Sequence, residues 1–250
     1  TIQENNWIEP LIKKMESDPT ISSVQPKIKN FYNKNKFDYA GGCGGELDIF
    51  CYPFVRGRIF NTIEIDQHQY DDANKIFWAS GTAFMTKKSI FDQVNGFDKV
   101  LFAHMEEIDY HWKCHLMGYD VISVPKSIVY HKGGKTLDYH SPFKTYLNHR
   151  NSLLLLTNFS IPLMCLLVMP RLFLELVSII YELCLGRINH SLAILRSLGW
   201  FLFHPHIVLK RIIFIMKTRK INDLKMIKYF YKGSIVLSYF LFKKKTFSSL

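Results

Sequence analysis

Three carboxylates, Glu106, Glu107 and Asp109, lie within four consecutive positions of the sequence. Apolar residues recur around them with helical spacing, at Met105, Ile108, Trp112 and Leu116. The pattern predicts a helix with both glutamates in its first turn, where the positive end of the helix dipole stabilises anions. Mutual repulsion and burial raise a carboxyl pKa, and a carboxylate tuned in this way can accept a proton from a hydroxyl group.

Two other interpretations use the same stretch. Glu107, His111 and His115 follow at spacings of four on one predicted helix face, which is a spacing that suits metal ligands and a metal-dependent hydrolase. The motif is not His-Glu-x-x-His, and histidines on a helix face are more often simply solvated. Alternatively, the acidic cluster is a protein contact of a non-catalytic, membrane-docked scaffold. The residues of this stretch alone leave all three interpretations open.

The surrounding elements must position these groups. Residues 76–85 are nearly all apolar or small and predict a strand covered on both faces, with Gly81 allowing a close approach by backbone or ligand. Residues 41–45 are a glycine cluster without the spacing of a phosphate-binding loop, so we expect a flexible loop near a ligand. Residues 120–124 and 127–130 predict two short strands, and His131 follows the second. Residues 142–159 predict a helix that carries Arg150 in its middle.

Charge divides the chain into two regions. Residues 1–159 carry 18 Lys/Arg and 18 Asp/Glu, whereas residues 160–250 carry 14 Lys/Arg and 3 Asp/Glu, so the whole net charge of +11 lies in the second region. Basic helices rich in Leu, Ile and Phe are typical of proteins that lie on anionic membranes, and this apolar content argues against a nucleic-acid partner. Five cysteines without a CxxC pair favour a reducing compartment.

The most apolar segment spans residues 161–185. Pro162 and Pro170 interrupt it, and polar residues form one stripe at Arg171, Glu175, Ser178 and Glu182. The stripe predicts a helix with one solvated face rather than a free-standing membrane span.

Seven motifs in order resemble the family 2 glycosyltransferases, which are inverting enzymes of the GT-A fold, and especially their bacterial rhamnosyltransferase-like members. The motifs are Trp78 to Met85, Asn95 to Asp98, Phe102 to Asp109, Gly118-Tyr119, Val124-Pro125, Val129 to His131, and Tyr146 to Asn151. The resemblance covers about residues 1–159. It implies an α/β fold class, namely the C-terminal part of a GT-A fold followed by amphipathic helices.

The resemblance also implies roles for single residues. Glu107 matches the catalytic base, with Glu106 and Asp109 as the other catalytic candidates. Gly81, together with Trp78, falls in a glycine loop beside the donor sugar, and Arg150 matches a contact to the donor diphosphate. His131 matches a histidine that can bind a divalent metal, Mg²⁺ or Mn²⁺.

One departure from the family pattern concerns the start of the sequence. Family members begin with a nucleotide-binding βαβ half, and Thr1 falls just beyond it. We therefore expect a C-terminal fragment, inactive alone, in which residues 1–159 are the acceptor-side part of the GT-A domain and residues 160–250 are a membrane-associating region. The expected function is sugar transfer from a nucleotide-sugar to a glycan or lipid-linked acceptor in bacterial cell-surface polysaccharide or glycoconjugate synthesis. The expected location is the cytoplasmic side of the cell membrane, peripheral or integral, with no nucleic-acid partner.

Overall fold

A computed structural model describes residues 6–133 and 141–250 and the backbone of residues 2 and 3. An α/β body is followed by helices, which confirms the predicted α/β class with appended helices. The helices are α1 (Ile8–Glu16), α2 (Lys88–Gln93), α3 (Glu106–Leu116), α4 (Pro142–Leu155), α5 (Ile161–Cys184), α6 (Ile188–Phe203), α7 (Pro205–Thr218), α8 (Asp223–Met226) and α9 (Ile235–Phe240).

In the described part of the chain, nine strands form two sheets. They are β1 (Ile2–Gln3), β2 (Ile21–Asn30), β3 (Gly45–Leu47), β4 (Pro53–Val55), β5 (Arg58–Ile59), β6 (Thr62–Ile63), β7 (Asn74–Ile76), β8 (Met85–Thr86) and β9 (Asp120–His131). In the main sheet the order is β1-β9-β2-β8, and β7 also pairs with β9. The long central pair, β2 and β9, is parallel, and the other pairs are antiparallel.

Strand alternation on β9 divides its apolar side chains between two faces. Ile122 and Val124 pack with Leu11 and Met15 of α1, whereas Val121 packs with residues from the other side of the sheet. The two strands predicted on either side of Pro125 are one continuous strand. Proline lacks a backbone N–H, and the register between β2 and β9 shifts at Pro26.

The second sheet, β3-β4-β5-β6, is a small antiparallel meander that the sequence patterns do not predict. Its strands are two or three residues long, which is too short to show an alternating pattern. The glycine cluster serves its packing rather than flexibility. Gly44 has a φ of +113°, and a Cβ at Gly45 would lie 2.0 Å from the Trp78 indole.

The predicted strand over residues 76–85 is wrong. Its ends belong to β7 and β8, and the residues between them form a loop in which Trp78 makes an isolated bridge to Gly45. That loop is held by side chains instead of a strand ladder. Ser80 N–H donates to Gln25 Oε1 at 2.7 Å, and Ser80 Oγ donates to the Ala40 carbonyl at 2.8 Å. Because the polar groups of Ser80 have hydrogen-bond partners, this mostly apolar loop can be buried without regular secondary structure.

Helix α3 lies at the centre of the molecule. The predicted stripe, Met105, Ile108, Trp112 and Leu116, belongs to one core cluster, as expected. That cluster also contains Leu153 of α4, Leu167 of α5 and Ile215 of α7. Residues on both sides of the predicted boundary at 159/160 therefore share a core, and the division into two functional regions stays a prediction.

The polar stripe of α5 faces the protein and not the solvent, contrary to expectation. Arg171 and Glu175 are fully buried, while Leu166, Met169 and Phe173 are more than 60% exposed. In the described part of the chain, α5 is the single helix long and apolar enough to cross a membrane. Helices α6 and α7 pass the same test only as a pair bent by 75°.

A buried charge network joins α7 to α3. Arg211 donates from Nη2 to Asp109 Oδ1 at 2.8 Å, and its Nη1 bonds to Asp98. Lys113 lies on the other side of Asp109, with Nζ 3.2 Å from Oδ2. The Arg211 and Lys113 charges hold the pKa of Asp109 well below its usual range, against the opposing effect of burial.

We expect Arg211→Met to lower the free energy of unfolding by about 3–5 kcal/mol, because the buried Asp109 loses its main counter-charge. Lys210→Met, a change at an exposed neighbour on the same helix, should stay within about 0.5 kcal/mol of the wild type. Urea unfolding followed by circular dichroism measures both. A loss below about 1 kcal/mol for Arg211→Met would show that the network does not hold α7 to α3.

Candidate functional site

A cavity of about 760 Å³ lies in front of the first turn of α3. Its volume is within the range of about 300–1,000 Å³ that ligand sites occupy. Four of the residues singled out from the sequence line it, namely Gly81, Glu106, Glu107 and His131. Its other walls come from the small sheet, from α4 and from α5, so the cavity draws on both halves of the chain.

A strained loop delivers the two glutamates. Phe102, His104 and Met105 have φ values of 62°, 65° and 68°, which is left-handed backbone that non-glycine residues rarely adopt. Each such residue costs about 1–3 kcal/mol, so the loop persists only because its surroundings fix it. The Asn151 amide supplies that restraint. Its Nδ2 lies 2.9, 2.9 and 2.7 Å from the carbonyl oxygens of Leu101, Ala103 and His104.

Gly81 faces the Glu107 carboxylate. A Cβ at position 81 would meet only Glu107, at 3.8 Å from Oε1, so glycine leaves open space in front of the acid. A distance of 3.8 Å is an ordinary van der Waals contact, so the close approach expected at Gly81 stays a prediction. Glu106 Oε2, Glu107 Oε2 and His104 Nε2 are shielded from solvent, and none has a hydrogen-bond partner among the described residues.

The two glutamates have raised pKa values. Burial, together with the neighbouring charge of Glu106, raises the pKa of Glu107 to about 7, against the opposing effect of the backbone amides of Glu107 and Gly81. Burial also raises the pKa of Glu106. A carboxylate with a pKa near 7 is a stronger base than an exposed one, and it is ionised in about half of the molecules at neutral pH.

The α4–α5 wall was missed by the sequence analysis. Lys144, Asn148 and Ser152 recur at intervals of four on α4 and line the cavity, and this spacing is the signal that was available in the sequence. His149 lines it too, with Nδ1 2.6 Å from Glu175 Oε2. Arg171 donates to Ser152 Oγ at 3.0 Å and to the Tyr52 hydroxyl at 2.6 Å. Cationic and imidazole groups thus share the cavity with the carboxylates.

His131 has the setting of a single metal ligand. Its Nδ1 lies 2.9 Å from Oδ1 of the buried Asp38, and a carboxylate behind an imidazole orients the ring so that Nε2 can bind a metal. Within residues 6–133 and 141–250, no group of three His, Cys, Asp or Glu side chains forms a set that could hold a metal. The described residues offer one metal ligand, His131, and not a complete metal site. No reaction step at this cavity is therefore assigned to a metal.

Three residues predicted for the site lie away from the cavity. Trp78 is buried against Gly45 and donates from Nε1 to the Glu46 carbonyl at 2.9 Å. Arg150 is buried and donates to the carbonyls of Val100 and Leu101 at 2.8 and 3.1 Å, so it braces the strained loop. Asp109 is neutralised by Arg211. None of the three lines the cavity. This corrects the substrate contacts expected for Trp78 and Arg150 and the catalytic role expected for Asp109.

The geometry also leaves the metal-hydrolase alternative without support. His111 and His115 are buried rather than solvated, and neither lines the cavity. His115 lies with Nδ1 2.9 Å from the Tyr119 carbonyl and Nε2 2.8 Å from the Phe77 carbonyl, so both ring nitrogens are engaged. His111 Nδ1 is 2.6 Å from the Glu107 carbonyl.

Comparisons with known proteins add little to this geometry. No protein-family model matches the chain, and no curated protein matches it. Among the solved structures that match is the crystal structure of GalNAc-T7 with UDP, GalNAc and Mn²⁺, at 16% sequence identity and a TM-score of 0.43. The match covers 64% of this chain and 30% of that one. A likeness at this level assigns neither a family nor an activity to the chain.

We expect Glu107→Gln to stabilise the protein at pH 8 by about 1–3 kcal/mol and to have little effect at pH 4. A carboxyl whose pKa is raised in the folded state destabilises that state as pH rises from the unfolded value through about 7, and glutamine removes this penalty.

Thermal unfolding at the two pH values measures the difference. Glu16→Gln, which removes an exposed carboxylate outside the cavity, is the matched control and should change neither melting temperature. An equal shift at both pH values for Glu107→Gln would mean that the Glu107 carboxylate is not held in an unfavourable ionised form.

Proposed function

We propose that this chain contributes the catalytic base and the acceptor side of an inverting glycosyltransferase of the GT-A type. One observation carries the proposal. Glu107 lines a cavity of ligand size with Oε1 toward Gly81, its pKa is raised, and its Oε2 is shielded from solvent without a hydrogen-bond partner among the described residues. This arrangement suits a base that removes a proton from a weakly acidic hydroxyl group.

The proposed reaction assigns a task to each part of the cavity. The acceptor hydroxyl binds next to Glu107, which takes its proton as the oxygen attacks the anomeric carbon of the donor sugar. The nucleoside diphosphate leaves from the opposite face of that carbon, so the configuration inverts. Glu106 supports the reaction indirectly, because its negative charge raises the basicity of Glu107.

Several finer features belong to the same proposal and rest on the sequence resemblance. They are membership of glycosyltransferase family 2, a rhamnosyltransferase-like role in bacterial cell-surface polysaccharide or glycoconjugate synthesis, a nucleotide-sugar donor, and a divalent metal that would stabilise the diphosphate when bound. His131 is the residue of this chain that would contact the metal.

We expect Glu107→Gln to lower kcat by about 10²–10⁴-fold and to change donor KM little, because the proton acceptor is lost while the donor contacts remain. In the wild type, kcat/KM should rise tenfold per pH unit below about 7 and level off above it, since Glu107 must be ionised.

The assay follows label transfer from UDP-, GDP- and dTDP-sugars to a glycan-containing membrane extract. Glu106→Gln is the matched control and should cost far less than Glu107→Gln. Turnover that survives Glu107→Gln would remove Glu107 as the base.

We also propose that residues 160–250 lie on the cytoplasmic face of the cell membrane. The outer face of α5 is apolar and exposed along its length, while its inner face carries Arg171 and Glu175 into the protein. Both charges are fixed by partners on the α/β body, namely Tyr52 and His149. This arrangement favours a helix that lies along the membrane surface, and the net charge of +11 in residues 160–250 complements anionic lipid.

We expect the chain to sediment with vesicles of phosphatidylcholine and phosphatidylglycerol (3:1) and much less with phosphatidylcholine alone, with binding weakened by salt. Phe173→Asp should lower the partition coefficient roughly tenfold, since a buried Phe contributes about 1.5–3 kcal/mol. Ile12→Asp, at a partly exposed position of α1, is the control and should leave partitioning unchanged. A stable dimer in light scattering, without vesicle binding, would assign the apolar face to a second copy instead.

A further inference from the structure

The small sheet β3–β6 has no part in the reaction as described so far, yet it forms one wall of the cavity. Tyr52, Pro53, Arg58 and Phe60 line the cavity from this sheet. Ile59 is buried in an apolar cluster, and Tyr52 and Phe60 are partly exposed and pack against the edge of that same cluster. Two aromatic rings are thereby presented to the cavity that contains Glu107.

Phe60 occupies a strained backbone position. It is the first residue of the two-residue turn between β5 and β6, and its φ is +47°. Turns of this geometry favour glycine at that position, because a side chain there is strained. Backbone strain that persists in a native structure points to a use for the side chain it carries.

Both rings are held rigidly. The Phe60 ring lies 5.0 and 5.2 Å from the rings of Tyr239 and Phe240 on α9. The Tyr52 ring lies 4.0 Å from the Arg171 guanidinium, which also bonds to the Tyr52 hydroxyl. Asp48 fixes α9 to the sheet by accepting the Ile235 N–H at 2.9 Å. Preorganised rings lose little conformational freedom when a ligand packs on them.

We propose that Tyr52 and Phe60 form a platform for a saccharide, and that this saccharide is the acceptor whose hydroxyl group Glu107 deprotonates. A pyranose ring carries C–H groups on its faces and hydroxyl groups around its edge. Its C–H face packs against flat aromatic rings, which carry negative partial charge, and its hydroxyl groups remain free to reach polar groups of the cavity. The identification of the saccharide as the acceptor rests on the proposed function, whereas its binding does not.

Saturation-transfer NMR without donor tests the platform, using methyl glycosides of glucose, galactose, mannose and rhamnose as probes. Sorbitol, which has the hydroxyl groups but no ring face, is the ligand control. We expect saturation of pyranoside ring protons by the wild type and none for sorbitol. Phe60→Gly should weaken binding roughly three- to tenfold, as expected for loss of one aromatic contact. Thermal unfolding checks that the variant stays folded, since glycine relieves the strained turn but removes the contacts of Phe60 with Tyr239 and Phe240.

Further variants keep the test decisive. Phe60→Trp retains a flat ring and should bind pyranosides. Phe60→Leu retains bulk without a flat face and should bind them as weakly as Phe60→Gly. Tyr32→Ala removes an exposed aromatic ring outside the cavity and should leave pyranoside binding unchanged. Unchanged binding in Phe60→Leu, or no pyranoside binding by the wild type, overturns the platform. Glu107→Gln should bind pyranosides normally, so failure of the platform and failure of the proposed base are separate results.

Discussion

The ion pair between Asp109 and Arg211 is the contact on which the arrangement of this molecule depends. A carboxylate buried in the middle of α3 requires a buried counter-charge, and that charge comes from α7, about a hundred residues further along the chain. Once the pair forms, α7 is fixed against the helix that carries the glutamates. Asn158, in the short turn that follows α4, donates from Nδ2 to Asp109 Oδ1 at 2.9 Å and so joins that turn to the same carboxylate.

Close to this contact, a well-packed helix lies next to a loop with a strained backbone. The body of α3 is buried and its charges are paired. The loop before α3, in contrast, holds three residues in left-handed backbone, and the first turn of α3 carries two carboxylates with raised pKa values. Asn151 and Arg150 hold that loop from α4. The well-packed body of the helix therefore offsets the free-energy cost of the strained backbone next to its first turn, which is where the proposed base lies.

The cavity is assembled from segments that are distant in sequence. The loop at Gly81, the first turn of α3, the end of β9, the small sheet and the inner face of α5 all reach it. Helix α5 presents charged residues inward and apolar residues outward. The same helix thus forms a wall of the proposed site and the surface proposed to lie on the membrane, which would place the acceptor side of the cavity close to the lipid.

The sequence by itself determined the helix at residues 106–116, its apolar stripe, and the position of both glutamates in the first turn. These follow from periodicity, which is a local property. Only the tertiary structure decided that residues 77–84 are a loop, that Trp78, Arg150 and Asp109 support the site rather than line it, and that the polar stripe of α5 faces inward. The physical reason is that a polar side chain is stable either in water or against a buried partner. Which of these applies depends on partners such as Arg211 and Tyr52, whose proximity no local pattern encodes.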